Sequence, residues 1–382
     1  MNYSEAYEYM ESRIRGEGAV KPDRLWELCG RLGKVPEKVK YAHAAGLKDA
    51  AAAFVASILR CAGYKVGSFL PIPGAEWGAQ ILVGRRKITR AAFAEGVGLI
   101  REAGDRMAAE GLRQPTAENA EALLAMWYFA EKGCQLAVLE NAIVIWNPQQ
   151  FLADEAAVLS HESEAWFTLW EEEPDCGEAK NSSHSLKGQT FDYKTYKKLE
   201  IPLAGIGQID NALLAIEMIE RLKSLGLAVP ERAVYQGLKE TGWPGSFEIV
   251  HKKLFFVLDG AHDSASVGQL VRSMKLYFEN KRVIYIMGML QDCETEHVIR
   301  RTVEYGDLII TVTPPHPQGI HALELAKEIA AYQPNVTAVD SPEEAVEISM
   351  LLAGKEDVIV AFGTPVLQWR LRDILTRNRT KK

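Results

Sequence analysis

KLFFVLDGAHDSASVGQLVRSMKLYF, residues 253 to 278, reads as a strand over 253–259, a sharp turn at Asp-Gly-Ala-His-Asp, and a helix over 264–278. Outward from it, toward the C-terminus, the same unit recurs. Strands are expected at RVIYIMGM (282–289), DLIITVT (307–313), VTAVD (336–340) and DVIVAFG (357–363), with helices at 294–304, 321–331, 342–353 and 365–377. Five strands alternating with five helices describe a doubly wound, Rossmann-like α/β domain.

Toward the N-terminus a second α/β pattern appears. Helical periods occupy 3–14, 22–33 (closing at Gly33), 50–62, 90–110, 116–132, 208–225 and 231–241. Strands are expected at 64–69, at 81–89 with a turn at Gly84, and at 135–146, where QLAVLENAIVIW is continuously apolar around Glu140. This alternation predicts a mainly parallel sheet resembling that of phosphate-loop proteins. Residues 151 to 200 turn acidic, then rich in Ser and Lys, and predict a ragged loop followed by a hairpin. The chain is therefore divided into 1–248 and 249–382.

Bulk composition narrows the function. With 382 residues, 47% hydrophobic and 25% charged, the chain can bury a large core in two domains. A net charge of −7 and a pI near 5.8 argue against nucleic acid as a partner. The basic run 370–382 is read as a solvated terminus. No run of 18 apolar residues and no basic-then-apolar leader occurs, so a cytoplasmic protein without a membrane partner is expected. Cys29, Cys61, Cys134, Cys176 and Cys293 show no CxxC spacing, which predicts reduced thiols rather than a zinc site or a disulfide framework.

Eight segments, in order, resemble one family. They are MNYSEAYEYMESR (1–13), ASILRCAGYKVGSF (56–69), WYFAEKGCQLAVLE (127–140), LAGIGQIDNALLAIEMI (203–219), WPGSFEIV (243–250), VLDGAHDSAS (257–266), IMGMLQDCE (286–294) and FGTPVLQWRLRDIL (362–375). Together they resemble the folylpolyglutamate synthase and dihydrofolate synthase branch of the Mur ligases, over nearly the whole chain. That resemblance implies a Mur ligase-like fold and an ATP-dependent amide ligase that phosphorylates a folate carboxylate, the amino group of glutamate then displacing the phosphate. ATP and Mg²⁺ would be its cofactors.

Several positions depart from the family pattern. AHAAGLKDAAAAFVASIL (42–59) stands where the family has its phosphate loop, G-T-x-G-K-G-S, yet keeps only Gly46 and Lys48. Leu47 and Asp49 replace glycines that a phosphate cradle needs for positive φ, Asp49 adds a negative charge, and Ala50 replaces a metal-binding serine. The family's Ser-Pro-His becomes LPIPGAEW, and Glu140, the matching metal-binding glutamate, is followed by NAIVIWNPQQ instead of the family's glycine-rich run. Gln208 and Asn211 match the G-x-H-Q-x-x-N-A stretch, while Gly207 replaces its histidine. Ser246 replaces the arginine of W-P-G-R, and no serine reproduces a bidentate guanidinium. Asp259, Gly260, Ala261 and His262 match, Asp263 replaces asparagine, and Cys293 replaces a lysine.

No catalytic residue is assigned on this basis. Gly46, Lys48, Gln208, Asn211, Asp259 and His262 are taken as nucleotide-binding remnants and Glu140 as a metal-ligand candidate. Against this stand two structural readings: Glu140 ends a strand, and Asp259 and His262 shape a turn. His161 and His184 are weaker candidates for a lost histidine ligand. The expected function is a homologue without ligation that binds a folate-like or nucleotide ligand, or a protein partner such as an active paralogue. EAWFTLWEEE (164–173) is a candidate partner surface. The alternative is an active ligase in which Lys48, Glu140, Asp259 and His262 form a rearranged site with ATP and Mg²⁺.

Overall fold

The structure, a computed structural model, describes residues 1–13, 28–32, 39–43, 50–70, 76–112, 114–139, 166–168, 175–251, 254–291 and 293–377. It has two compact units. The first comprises Met1–Pro71, Glu76–Glu178 and Asp210–Thr241; the second comprises Ile72–Ala75, Ala179–Ile209 and Gly242–Lys382. The sequence placed the division at 248/249. The second unit begins instead at Gly242 and also takes in residues 179–209. Within it, Gln189, buried, donates from its amide to the carbonyls of Leu203 (2.9 Å) and Gly205 (2.8 Å), tying that segment into its own unit.

The sheet of the first unit has the order β4-β3-β2-β5-β1-β6. Its strands are β1 (Lys40–His43), β2 (Val66–Phe69), β3 (Ile81–Val83), β4 (Arg86–Lys87), β5 (Leu136–Leu139) and β6 (Trp166–Thr168). The four strands β2, β5, β1 and β6 run parallel, as expected, and β3 and β4 form the hairpin at Gly84, whose φ is +62°. Of the strand expected at 135–146, β5 is completely buried, and residues from 140 on lie outside the described set. The candidate surface 164–173 contributes β6; its side chains likewise lie outside that set.

Helices of this unit start where cap chemistry directs. Asn2 and Glu5 form a reciprocal capping box on α1 (Tyr3–Glu11). Thr89 and Thr116 accept from the third backbone N–H of α3 (Arg90–Ala109) and α4 (Ala117–Glu131). The alanine-rich α2 (Ala50–Cys61) packs on α6 (Glu231–Glu240), with α5 (Gly207–Ser224) preceding α6 in the chain. That contact needs Gly237: a Cβ there would lie 2.4 Å from Ile58 Cα. Glu240 then receives Arg60 and Arg85, both at 2.7 Å.

In the second unit the expected alternation is complete. Strands β11 (Phe255–Leu258), β12 (Val283–Met287), β13 (Leu308–Val312), β14 (Val336–Val339) and β15 (Val358–Phe362) are parallel. With antiparallel β10 (Glu248–His251) on the edge, the order is β10-β11-β15-β12-β13-β14. Period-2 side chains split the core into two layers. Tyr285, Met287, Val360 and Phe362 face a cluster with α7 (Ser264–Phe278), α8 (Thr295–Thr302) and α9 (Ala322–Ala330). Ile284, Ile286, Ile359 and Ala361 face one with α10 (Pro342–Leu352) and α11 (Pro365–Arg377). The arrangement is doubly wound.

Two elements differ from expectation. The hairpin foreseen before residue 200 is a three-stranded meander, β7 (Lys180–Ser185), β8 (Gly188–Tyr193) and β9 (Tyr196–Ile201). Every residue of β7, KNSSHS, is exposed, so no apolar period announces it. The short strand β10 was likewise not foreseen. The basic run from Arg370 is not a loose terminus where described: its first eight residues are the end of α11, with Arg370 paired to Glu343, Arg372 to Glu248 and Arg377 to Asp373. Among the described residues no helix is long and apolar enough to cross a membrane, and all five cysteines are free thiols.

Candidate functional site

The crevice beyond the carboxyl ends of parallel strands is where open α/β sheets bind ligands. At the end of β11, the backbone leaves the sheet through Asp259–Asp263. Asp259 is fully engaged in shaping that exit: Oδ2 accepts from Phe247 N (2.8 Å), Oδ1 accepts from Ala261 N (2.9 Å), and its own N–H donates to Ala361 O (2.9 Å). Phe247 has φ +49°, an uncommon conformation for a side-chain-bearing residue. The Asp259 carboxylate thus holds two turns at once.

His262 is bound just as locally. Its Nδ1 lies 2.8 Å from Gly260 O, where a ring N–H donates to the carbonyl, and its backbone N–H donates to Ser266 Oγ at 3.2 Å. Asp263 caps α7, accepting from Ser266 N (2.8 Å) and Ser266 Oγ (2.7 Å). Burial alone raises the Asp263 carboxyl, but the Ser266 hydrogen bonds and the neighbouring His262 outweigh it and hold the group below the usual carboxylate range.

Two further segments of the second unit converge on this turn. Gly245, with φ +98°, accepts from Gly260 N at 3.0 Å, and a Cβ on it would lie 2.2 Å from Gln368 Nε2. Gln368 is 4% exposed, and its Nε2 is buried without a hydrogen-bond partner. Gln208, also buried, donates from Nε2 to Ser246 Oγ at 2.7 Å. A Cβ on Gly207 would lie 2.6 Å from Gln269 Oε1, so a side chain there displaces that amide.

The segments 205–208, 245–247 and 259–263 are therefore brought together. Gln368 and Gln269 were not foreseen. The only cue for Gln368 was a glutamine at an inward position of an amphipathic helix. Asn211 lies three residues after Gln208 on α5, and Cys293 is a half-buried thiol before α8.

The remaining candidates belong to the first unit. Gly46 and Lys48 lie in the 44–49 connection from β1 to α2, and Glu140 directly follows β5; all three fall outside the described residues, as does His161. The register Ala42↔Val138 and Phe69↔Leu139 sets the carboxyl ends of β1, β5 and β2 side by side, so these connections leave one edge of the sheet. α2 opens on four alanines, and its first turn offers no hydroxyl or carboxylate. His184 sits on exposed β7, bound to Gln189. Among the described residues no group of three His, Cys, Asp or Glu side chains is placed to hold a metal ion.

Residues 247–364 match the family model described as "Mur ligase, glutamate ligase domain". Over its length the chain is 24% identical to the dihydrofolate synthase/folylpolyglutamate synthase of Bacillus subtilis, covering 95% of this chain and 96% of that one. The chain carries a Mur ligase glutamate ligase domain and, over nearly its whole length, is similar to folylpolyglutamate synthases. The folylpolyglutamate synthase of Lacticaseibacillus casei is 23% identical over 84% of this Mur ligase homologue and 87% of its own length. The fold agrees with the Thermotoga maritima folylpolyglutamate synthase structure (TM-score 0.79, 23% identity, 98% and 97% coverage) and with the Mycobacterium tuberculosis enzyme complexed with ADP (TM-score 0.82, 15% identity, 98% of each chain).

Ser246 supplies a hydroxyl occupied by Gln208 where the pattern has a guanidinium, and both Asp259 oxygens accept from backbone.

Proposed function

We propose that this Mur ligase homologue has lost ATP-dependent amide ligation and acts, in the cytoplasm, by binding a folate-like or nucleotide ligand or a protein partner. The observation that carries this reading is the Gln208–Ser246 hydrogen bond, an amide and a hydroxyl satisfying each other at the position where the family pattern places a cation. It is supported by GLKDAAA at 46–52, whose Leu47, Asp49 and Ala50 oppose the three requirements of a phosphate loop. Phosphoryl transfer depends on preorganised positive charge, and each such contact contributes roughly 3 kcal/mol to the barrier. Removing several leaves little rate, although such effects are not additive within one site. The five free thiols agree with a reducing compartment.

The test is incubation with ATP, Mg²⁺, glutamate and a reduced folate, with ADP release measured beside a thermal-shift titration. The expected result is no ADP above the protein-free control, together with stabilisation by a folate or by a co-purifying protein. Folate-dependent ADP release overturns the proposal. It would establish the second reading, an active ligase using Lys48, Glu140, Asp259 and His262, which near-full-length coverage of relatives named as synthases favours.

A further inference from the structure

Away from the strand ends, α7, α8 and the 3₁₀ turn Val303–Tyr305 enclose an open groove of about 730 Å³, the size of a small-molecule site. Three arginines line it: Arg272, Arg300 and Arg301. Most polar groups around it are already matched. Arg300 donates to Glu296 Oε1 (3.1 and 2.6 Å) and stacks on the Tyr332 ring at 5.5 Å. Tyr305 carries Lys275 over its ring at 4.8 Å, and Glu304 lies near that same lysine. Ser264 Oγ meets His297 Nε2 at 3.0 Å, and Ser264 N donates to Glu294 Oε2 at 3.1 Å.

Arg272 and Arg301 differ: neither has a hydrogen bond or ion pair to any described residue. The two stand on facing elements of the same groove. Their placement is also built. Arg301 Nη1 lies 3.2 Å from where a Cβ on Gly268 would be, so the missing side chain lets the guanidinium rest on α7. Arg272 is one helical turn beyond Gly268, so both forks address the same stretch of α7.

We propose that this groove binds a phosphate dianion, free or carried as a small phosphate monoester, between Arg272 and Arg301. Two forked donors match the charge and the oxygen geometry of such a group, and Glu304, the acidic side chain in the lining, stands by Lys275. The site is independent of whether ligation survives.

The test is calorimetric titration of the full-length protein with inorganic phosphate at constant ionic strength. Saturable binding of one phosphate per chain is expected, weakened about tenfold in R272A and in R301A. G268A removes no charge and shifts the Arg301 guanidinium by only a few tenths of an ångström, so a loss within about twofold is expected from it. R272K keeps the charge without the fork and recovers only part of the affinity. A glycerol phosphate titration separates the sources: tighter binding than phosphate, lost in the same variants, assigns the site to an ester. Unchanged affinity in R272A/R301A overturns the proposal, as does preferential binding of succinate or of an acidic peptide. An ATP-dependent thermal shift that is lost in R272A/R301A but kept in K48A belongs to this groove and not to residues 44–49.

Discussion

Two parallel strands hand over to helices in different ways, one in each unit. From β11 to α7 the chain passes through Asp259–Asp263, where each polar side chain is bound to nearby backbone and Asp263 and Ser266 form a capping box. From β1 to α2 it passes through residues 44–49 into four alanines whose turn offers no polar side chain. α2 is instead held from outside, by α6 pressing Gly237 onto Ile58. The difference teaches what retention means in this chain. The family residues that also hold a turn, Asp259, Gly260 and His262, are present, whereas 44–49 keeps Gly46 and Lys48 but has Leu47 and Asp49 where the family pattern has glycines. A retained motif residue is therefore weak evidence for a retained ligand when the fold itself employs it.

The sharpest way to break this comparison is at Gly237. G237A sets a Cβ against helix backbone that cannot yield, and a loss of about 3 kcal/mol in urea unfolding is expected. A loss near zero would mean that α2 is held by something other than this packing. Next in size is D259A, which strands two backbone donors and is expected to cost about 2 kcal/mol without any nucleotide present. If Asp259 served only a ligand, the variant would unfold at the same urea concentration as the parent.

D263A should cost about 1 kcal/mol through loss of the cap. That difference has a pH signature. The folded-state carboxyl lies below its ordinary value, about 3.9 in an unfolded chain, so its contribution is complete above about pH 4 and is lost as pH falls through the lower folded value. Parent and variant should therefore differ in urea midpoint at pH 7 and converge under acid; a constant difference down to pH 2 contradicts the ionic cap. The smallest effect belongs to the other handover. K48A is expected to leave urea stability and any ATP-dependent thermal shift unchanged, and loss of such a shift in K48A would restore residues 44–49 to a working phosphate loop.

Much of the second unit was legible in residues 253–377. The bounds of α7 and α11 were read to the residue, because caps, prolines and apolar periods all mark the same positions. β7 and β10 were missed for a physical reason: a fully exposed strand has no burial pattern, and a four-residue edge strand is defined by its neighbour. At the site, the order of motifs showed the resemblance to one family. It did not show that Ser246 would be taken by Gln208, that Gln368 would fill the space beside Gly245, or that Gly268 would make room for Arg301.

The sequence by itself determined the strand and helix pattern, the turn at Asp259–Asp263 and the resemblance to one family, since periodicity, cap chemistry and motif spacing act over a few neighbouring positions. Only the tertiary structure decided which polar groups are already spoken for. Gln208 and Ser246 are 38 residues apart, and Gly268 and Arg301 are 33 apart. Whether such groups satisfy one another or wait for a ligand depends on ångström-scale distances set by packing between elements, which no local pattern of residues encodes.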